Sequence, residues 1–235
     1  MADIFNEVDE EVRRERLKAF WDRYSIFIIA IAVLIVAGIG GWRAYEYWTA
    51  QKAAAAGAGF EQAVTLSEEG KHAEAEKAFA KVVAEAPHGY ALLARFREAA
   101  ELAQANPGKP ADAVKAYDAL AVDASLGQTW QDLAAVRAGL LLAGTAPFAE
   151  VKSRLEPIAG PDRPYRHTAR ELLALSAWHD KNVAEAKRYI EMLTADGQTP
   201  PGARQRMDVL AALIAGEGKA TDAKSDAKPD DGKKG

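Results

Sequence analysis

The sequence predicts an all-α protein, with one N-terminal transmembrane helix followed by a solenoid of helical hairpins. Three observations carry this prediction. No residue between Arg23 and Arg43 is charged. After Trp48 the chain is rich in the helix formers Ala, Leu, Glu, Lys and Arg, with Gly and Pro at intervals and no strand-like alternation. Finally, a short alanine-led motif occurs four times.

The uncharged stretch, Tyr24 to Trp42, reads YSIFIIAIAVLIVAGIGGW. As a helix it is roughly 28 Å long, close to the roughly 30 Å of a hydrocarbon core. Phe20, Trp21 and Tyr24 stand at one end, and Trp42, Tyr45, Tyr47 and Trp48 at the other. Amphipathic rings favour the membrane interface, so both ends read as boundaries with the lipid bilayer. Arg13, Arg14, Arg16, Lys18 and Arg23 precede the segment, whereas only Arg43 and Lys52 follow closely. Basic flanks stay inside, so the N-terminus is expected in the cytoplasm and the rest of the chain outside it. A buried core helix is one alternative. A cleaved signal peptide is another, with Ala53–Ala56 as small residues for cleavage. An uncleaved anchor is preferred, because the apolar run exceeds a signal peptide's usual length and aromatic residues separate it from the alanines.

The expected divisions are a cytoplasmic segment over 1–23, the crossing over 24–42, a juxtamembrane linker or helix over 43–57, a repeat domain over 58–215 and a disordered tail over 216–235. In the first segment Ile4, Val8 and Val12 recur every fourth residue and share a helix face. That face suits either a membrane surface or partner, or a solvated extension of the anchor. The tail has no large apolar residue with which to build a core.

The alanine-led motif begins at Ala73, Ala111, Ala149 and Ala184, spacings of 38, 38 and 35 residues. Two residues after each start come Ala75, Ala113, Val151 and Ala186. Six after come Phe79, Tyr117, Leu155 and Ile190, and nine after come Val82, Leu120, Ile158 and Leu193. Large residues three apart share a helix face, and the small residue admits a neighbouring helix. Each copy therefore reads as the second helix of a hairpin, and these residues are the expected repeat core. First helices are expected at about 58–69, 88–104, 127–143 and 164–179. The turns are Gly70-Lys71, Pro107-Gly108, Gly144 to Pro147 and Asp180 to Asn182. A last helix over about 202–215, with Met207, Leu210 and Ile214, suits a terminal cap.

Ala75, Phe79 and Pro87 stand at the A-x₃-F…P spacing of the tetratricopeptide repeat, which the array resembles. Ala113 and Tyr117 fit less strictly, and the later copies depart further. The whole chain also resembles the YfgM-type proteins, ancillary subunits of the SecYEG translocon. The opening Asp3-Ile4-Phe5-Asn6-Glu7-Val8-Asp9-Glu10-Glu11 carries that resemblance, with the basic stretch, Trp21, Tyr24 and the single crossing. So does Pro164-Tyr165-Arg166 leading into Ala169 to Leu175 and the Ala184 hairpin. The resemblance implies a bacterial inner-membrane protein with a periplasmic repeat domain. It further implies association with SecYEG and with a membrane-anchored periplasmic chaperone of the prolyl-isomerase type, to assist exported proteins.

Composition narrows the chemistry. There is no cysteine, which excludes disulfides, thiolate catalysis and cysteine-based zinc sites. A formal net charge of -4 argues against nucleic acid as partner. No phosphate loop or nucleophile-elbow motif is present. His72, His88, His167 and His179 lack metal-ligand spacing and read as surface or turn residues, so no catalytic site, cofactor or metal is expected. Arg97, Arg137 and Arg170 recur at similar places in successive first helices. They either line an inner face that holds a partner's carboxylates or pair along their own helices. A scaffold is thus expected in preference to an enzyme. A self-associating envelope protein is a further alternative, on the small-xxx-small pair Ala37 and Gly41.

Overall fold

The computed structural model describes residues 2–107 and 110–226, with side chains from Arg14 to Glu217 except at His88 and residues 108–109. Among the described residues the chain is all-α. The helices are α1 (Ala2–Glu68), α2 (His72–Glu85), α3 (His88–Ala105), α4 (Ala111–Ala121), α5 (Gln128–Leu142), α6 (Phe148–Leu155), α7 (Arg166–His179), α8 (Val183–Thr194) and α9 (Pro201–Asp226). Two compact units divide it, Met1–Ala58 and Gly59–Gly235.

In the first unit, α1 is long and apolar enough to cross a membrane, and its apolar window has no buried residue. The side chains of Ile4, Val8 and Val12 lie outside the described residues. Next to the apolar run, Lys52 Nζ sits 3.7 Å from the centre of the Trp48 ring.

The second unit begins within α1 and stacks the remaining helices in chain order around three buried clusters. Phe79, Val82 and Ala75 of α2 meet Ala63 of α1 and Ala94 of α3 in the first. Tyr117 and Leu120 of α4 join Ala99 of α3 and Ala134 and Ala138 of α5 in the second. The third is the largest, and α5 to α9 all contribute to it. Every residue at the three motif offsets is buried, Ala113, Val151, Leu155, Ile158, Ala186, Ile190 and Leu193 included. Met207, Leu210 and Ile214 of α9 are buried in the third cluster.

Local chemistry sets the helix ends. Pro87, Pro110 and Pro147 stand just before α3, α4 and α6, where a missing N–H costs nothing. Gly70 closes α1 with φ 76°. Its N–H bonds Ser67 O and the Lys71 N–H bonds Leu66 O, the paired pattern that ends many helices on a left-handed residue. The same pattern closes α7, through Lys181 to Trp178 O and Asn182 to Ala177 O, but there the left-handed residue is Lys181. Asn182 Oδ1 then caps α8 by accepting from Glu185 N.

Two expectations need correction. The second helix of the third copy stops at Leu155 and tightens into a 3₁₀ turn over Glu156–Ile158. Pro157 is the cause, since its ring leaves no donor and crowds the preceding turn. The last helix does not end near residue 215 but continues to Asp226 through Ala- and Lys-containing sequence. Residues 227–235 of the expected tail lie outside the described residues.

Gly139 marks a close approach of α5 to α6. A Cβ built there would lie 2.7 Å from Leu155 Cδ1 and 2.9 Å from its Cδ2 and Cγ. Leu155 is fully buried and cannot swing away. Gly139→Ala would gain up to about 1 kcal/mol of helix propensity, but overpacking costs about 1–3 kcal/mol. The expected outcome is net destabilisation, read as a lower urea midpoint. A higher midpoint would mean that propensity outweighs the clash.

Candidate interaction surface

The alternate helices α3 and α5 present matching faces. Leu93, Arg97 and Ala100 follow one another on α3, and Trp130, Leu133 and Arg137 on α5, at spacings of three and four residues that place each set on one side. Between them lies a cleft of about 460 Å³, lined also by Phe60 of α1, with the half-buried Phe96 and the buried Tyr117 as its floor. Its rings support one another. Phe60 packs edge-on against Phe79 at 5.3 Å and tilts against Tyr90 at 6.0 Å. Phe96 lies 6.2 Å from Tyr117 and 5.6 Å from Trp130. Such contacts hold large side chains in defined orientations at a solvent-facing surface.

Arg97 and Arg137 are exposed at this cleft. Among the described residues neither has a hydrogen-bond or ion-pair partner. Both act on the phenol of Tyr117. Burial raises its pKa, and the charges of Arg137 and then Arg97 oppose that rise. The hydroxyl donates to Phe96 O at 3.3 Å.

Arg170 does not join them. It is 5% exposed. Its Nε donates to Ala159 O at 2.9 Å, and its Nη1 to Met192 O at 3.1 Å and Asp196 Oδ2 at 3.0 Å. The expectation that it points into an inner face is corrected here, because the segment after α6 and the end of α8 enclose it. Asp196 Oδ2 also takes Arg166 Nε at 2.7 Å, and His167 Nε2 lies 3.1 Å away. The Arg166 hydrogen bond, followed by that from Gln198 N, holds the Asp196 carboxyl well below the usual range. Arg170 is thus part of a buried lock between the last two hairpins, and His167 belongs to the same lock rather than to the surface.

A second cleft, also of about 460 Å³, lies among α4, α5 and α6. Its cations are already taken. Arg154 grips Asp118 with two bonds at 3.0 and 2.9 Å, and Arg163 Nη2 reaches Asp132 Oδ1 at 2.6 Å. Asp132 Oδ2 and Arg163 Nε remain without partners, two ends of one ion pair.

Ser67, His72 and Glu101 meet beside the α1–α2 turn. Ser67 Oγ donates to Glu101 Oε1 at 2.6 Å, and His72 Nδ1 lies 2.7 Å from Oε2. Serine and histidine both bind the carboxylate, not each other, so the relay that activates a nucleophile is not formed. Among the described residues no three metal-ligating side chains converge.

Sequence spacing alone brought Arg97 and Arg137 forward. The aromatic floor has a weaker signal, in that Trp130, Leu133 and Arg137 carry the same three-and-four spacing as the arginine face of α3.

The family described as tetratricopeptide repeat-like domain matches residues 18–161. The chain belongs to that family. The match takes in the whole apolar run of α1 together with the helices through α6. No curated protein and no solved structure matches the chain. Tetratricopeptide-like domains are in general interaction scaffolds without catalytic groups, and they present extended surfaces built from stacked hairpins.

Proposed function

We propose that this tetratricopeptide-like protein is a membrane-anchored scaffold of the bacterial inner membrane, with its repeat domain in the periplasm. It associates there with the Sec translocon and a membrane-anchored chaperone of the prolyl-isomerase type, and it assists exported proteins. It is not an enzyme. The observation that carries this reading is the pairing of an unburied, membrane-length apolar helix with an interaction-type repeat domain in one matched family. An exposed apolar surface of that size calls for lipid or protein cover. The basic flank from Arg13 to Arg23 favours a cytoplasmic N-terminus. Arg97 and Arg137 are its partner-facing residues. The translocon and chaperone rest on the resemblance of the chain's opening and repeats to the YfgM-type proteins.

Two measurements test this. Protease added to spheroplasts is expected to remove a C-terminal tag and spare an N-terminal one, and the opposite pattern would sink the orientation. Affinity purification of the full chain from solubilised membranes is expected to recover translocon subunits and a periplasmic isomerase. Recovery of further copies of the chain alone would favour the self-associating envelope scaffold.

A further inference from the structure

We propose that the cleft between α3 and α5 receives an amphipathic α-helix of a partner protein, with its apolar stripe on the aromatic floor and acidic residues on its flanks facing Arg97 and Arg137. This deepens the scaffold reading and rests on it.

Charge decides the sign of the partner. The cleft offers two guanidinium groups and no carboxylate, and among the described residues those two groups are uncommitted. In the second cleft, by contrast, Arg154 and Arg163 are already ion-paired within the protein, to Asp118 and Asp132. Planar guanidinium groups pair with carboxylates through two parallel bonds. A nucleic acid is disfavoured, because it needs a longer run of phosphate contacts than two cations supply on a chain of formal net charge -4.

The floor decides the conformation of the partner. The cleft's lining contains no Asn, Gln, Ser or Thr, and the Tyr117 hydroxyl is already directed at Phe96 O. An extended segment laid here would carry backbone N–H and C=O groups onto aromatic surface without partners, which is costly. A helix arrives with those groups already bonded within itself and presents side chains alone. The dimensions agree. Trp130 to Leu140 continues one exposed-to-half-buried face of α5 past Arg137. At the helical rise that row is roughly 15 Å long, about three turns of a partner helix.

The two features have different roles. Exposed ion pairs add little affinity each, so the rings around Phe96 and Trp130 carry the binding. The arginines select acidic helices and orient them.

The test uses the full chain in nanodiscs of zwitterionic phospholipid, with empty nanodiscs as reference. The probe is a fluorescent synthetic peptide with Leu and Phe on one helical stripe and Glu on both flanks. Wild type is expected to bind it and to release it as salt is raised. The double change Arg97→Glu with Arg137→Glu is expected to weaken binding about tenfold or more, and a peptide with Lys in place of Glu is expected to restore it. Both positions are exposed and, among the described residues, without partners, so unchanged circular dichroism is expected of the double variant. A peptide with the same side chains but a central proline is expected to bind about tenfold more weakly, because proline breaks the helix. Equal binding by wild type and the double variant would remove the arginines from the site. Equal binding of the proline peptide would overturn the helical occupant. If wild type ignores the acidic peptide yet still recovers membrane partners from extracts, the cleft proposal fails and the scaffold reading stands. If neither occurs, both fail.

Discussion

Arg170→Ala is expected to lower the unfolding free energy of the repeat domain by about 3–5 kcal/mol, the range for breaking a buried charged network. The guanidinium is held by two main-chain oxygens and one carboxylate. Its loss leaves the buried Ala159 O and the part-buried Met192 O without donors, at about 1–3 kcal/mol for a fully buried unsatisfied group. It also empties the space between α7, the end of α8 and the segment after α6. Asp196 keeps Arg166 and His167, so the carboxylate is not stranded and the loss stays within that range. Urea unfolding of the full chain in detergent, followed by far-ultraviolet circular dichroism, gives the measurement. The contrast matters most. Arg97→Ala and Arg137→Ala should each stay within about 0.5 kcal/mol of wild type, as substitutions at exposed surface positions do. If all three variants unfold alike, the division between a structural and a partner-facing arginine is wrong.

Phe79→Ala is expected to cost about 3–5 kcal/mol as well, for a different reason. The ring is fully buried and stands edge-on to Phe60. Three of its buried neighbours are alanines, Ala63, Ala75 and Ala94. Alanine has no rotamer with which to fill a vacated space, so the cavity should persist and the cost should sit toward the upper end. Phe60 also lines the cleft between α3 and α5, so the same change should disturb the aromatic surface there. A urea midpoint equal to wild type would mean that the first hairpin is packed on other residues.

Much of the fold is written in local sequence. Gly70, Pro87, Pro110 and Pro147 punctuate the chain where helices do end or begin, because their backbone constraints act within one turn. The motif offsets point to buried residues, because helical periodicity and burial are both local consequences of one face meeting a neighbour. The site is less legible. Arg97, Arg137 and Arg170 look equivalent along the chain, and only the three-dimensional paths after α6 and α8 bring Ala159, Met192 and Asp196 onto the third. Similarly, Phe60, Phe96 and Trp130 lie in three different helices, and no spacing within one helix reveals that their rings converge. Pro157 could have foretold the early end of α6, since its effect on a helix is local.

The three clusters differ greatly in extent, and each helix touches mainly its neighbours in sequence. In such an array, opening one end does not require the other to open. The small cluster around Phe79 should therefore exchange its amide hydrogens through partial opening, while α7 and α8, inside the largest cluster, exchange only when the whole domain unfolds. Phe60 and Tyr90 belong to the readily opened end, whereas Trp130 stands on the helix that bridges to the protected one. The two sides of the aromatic cleft thus differ in rigidity, and a bound helix would be seated firmly along α5 while its opposite side rests on a margin that can yield.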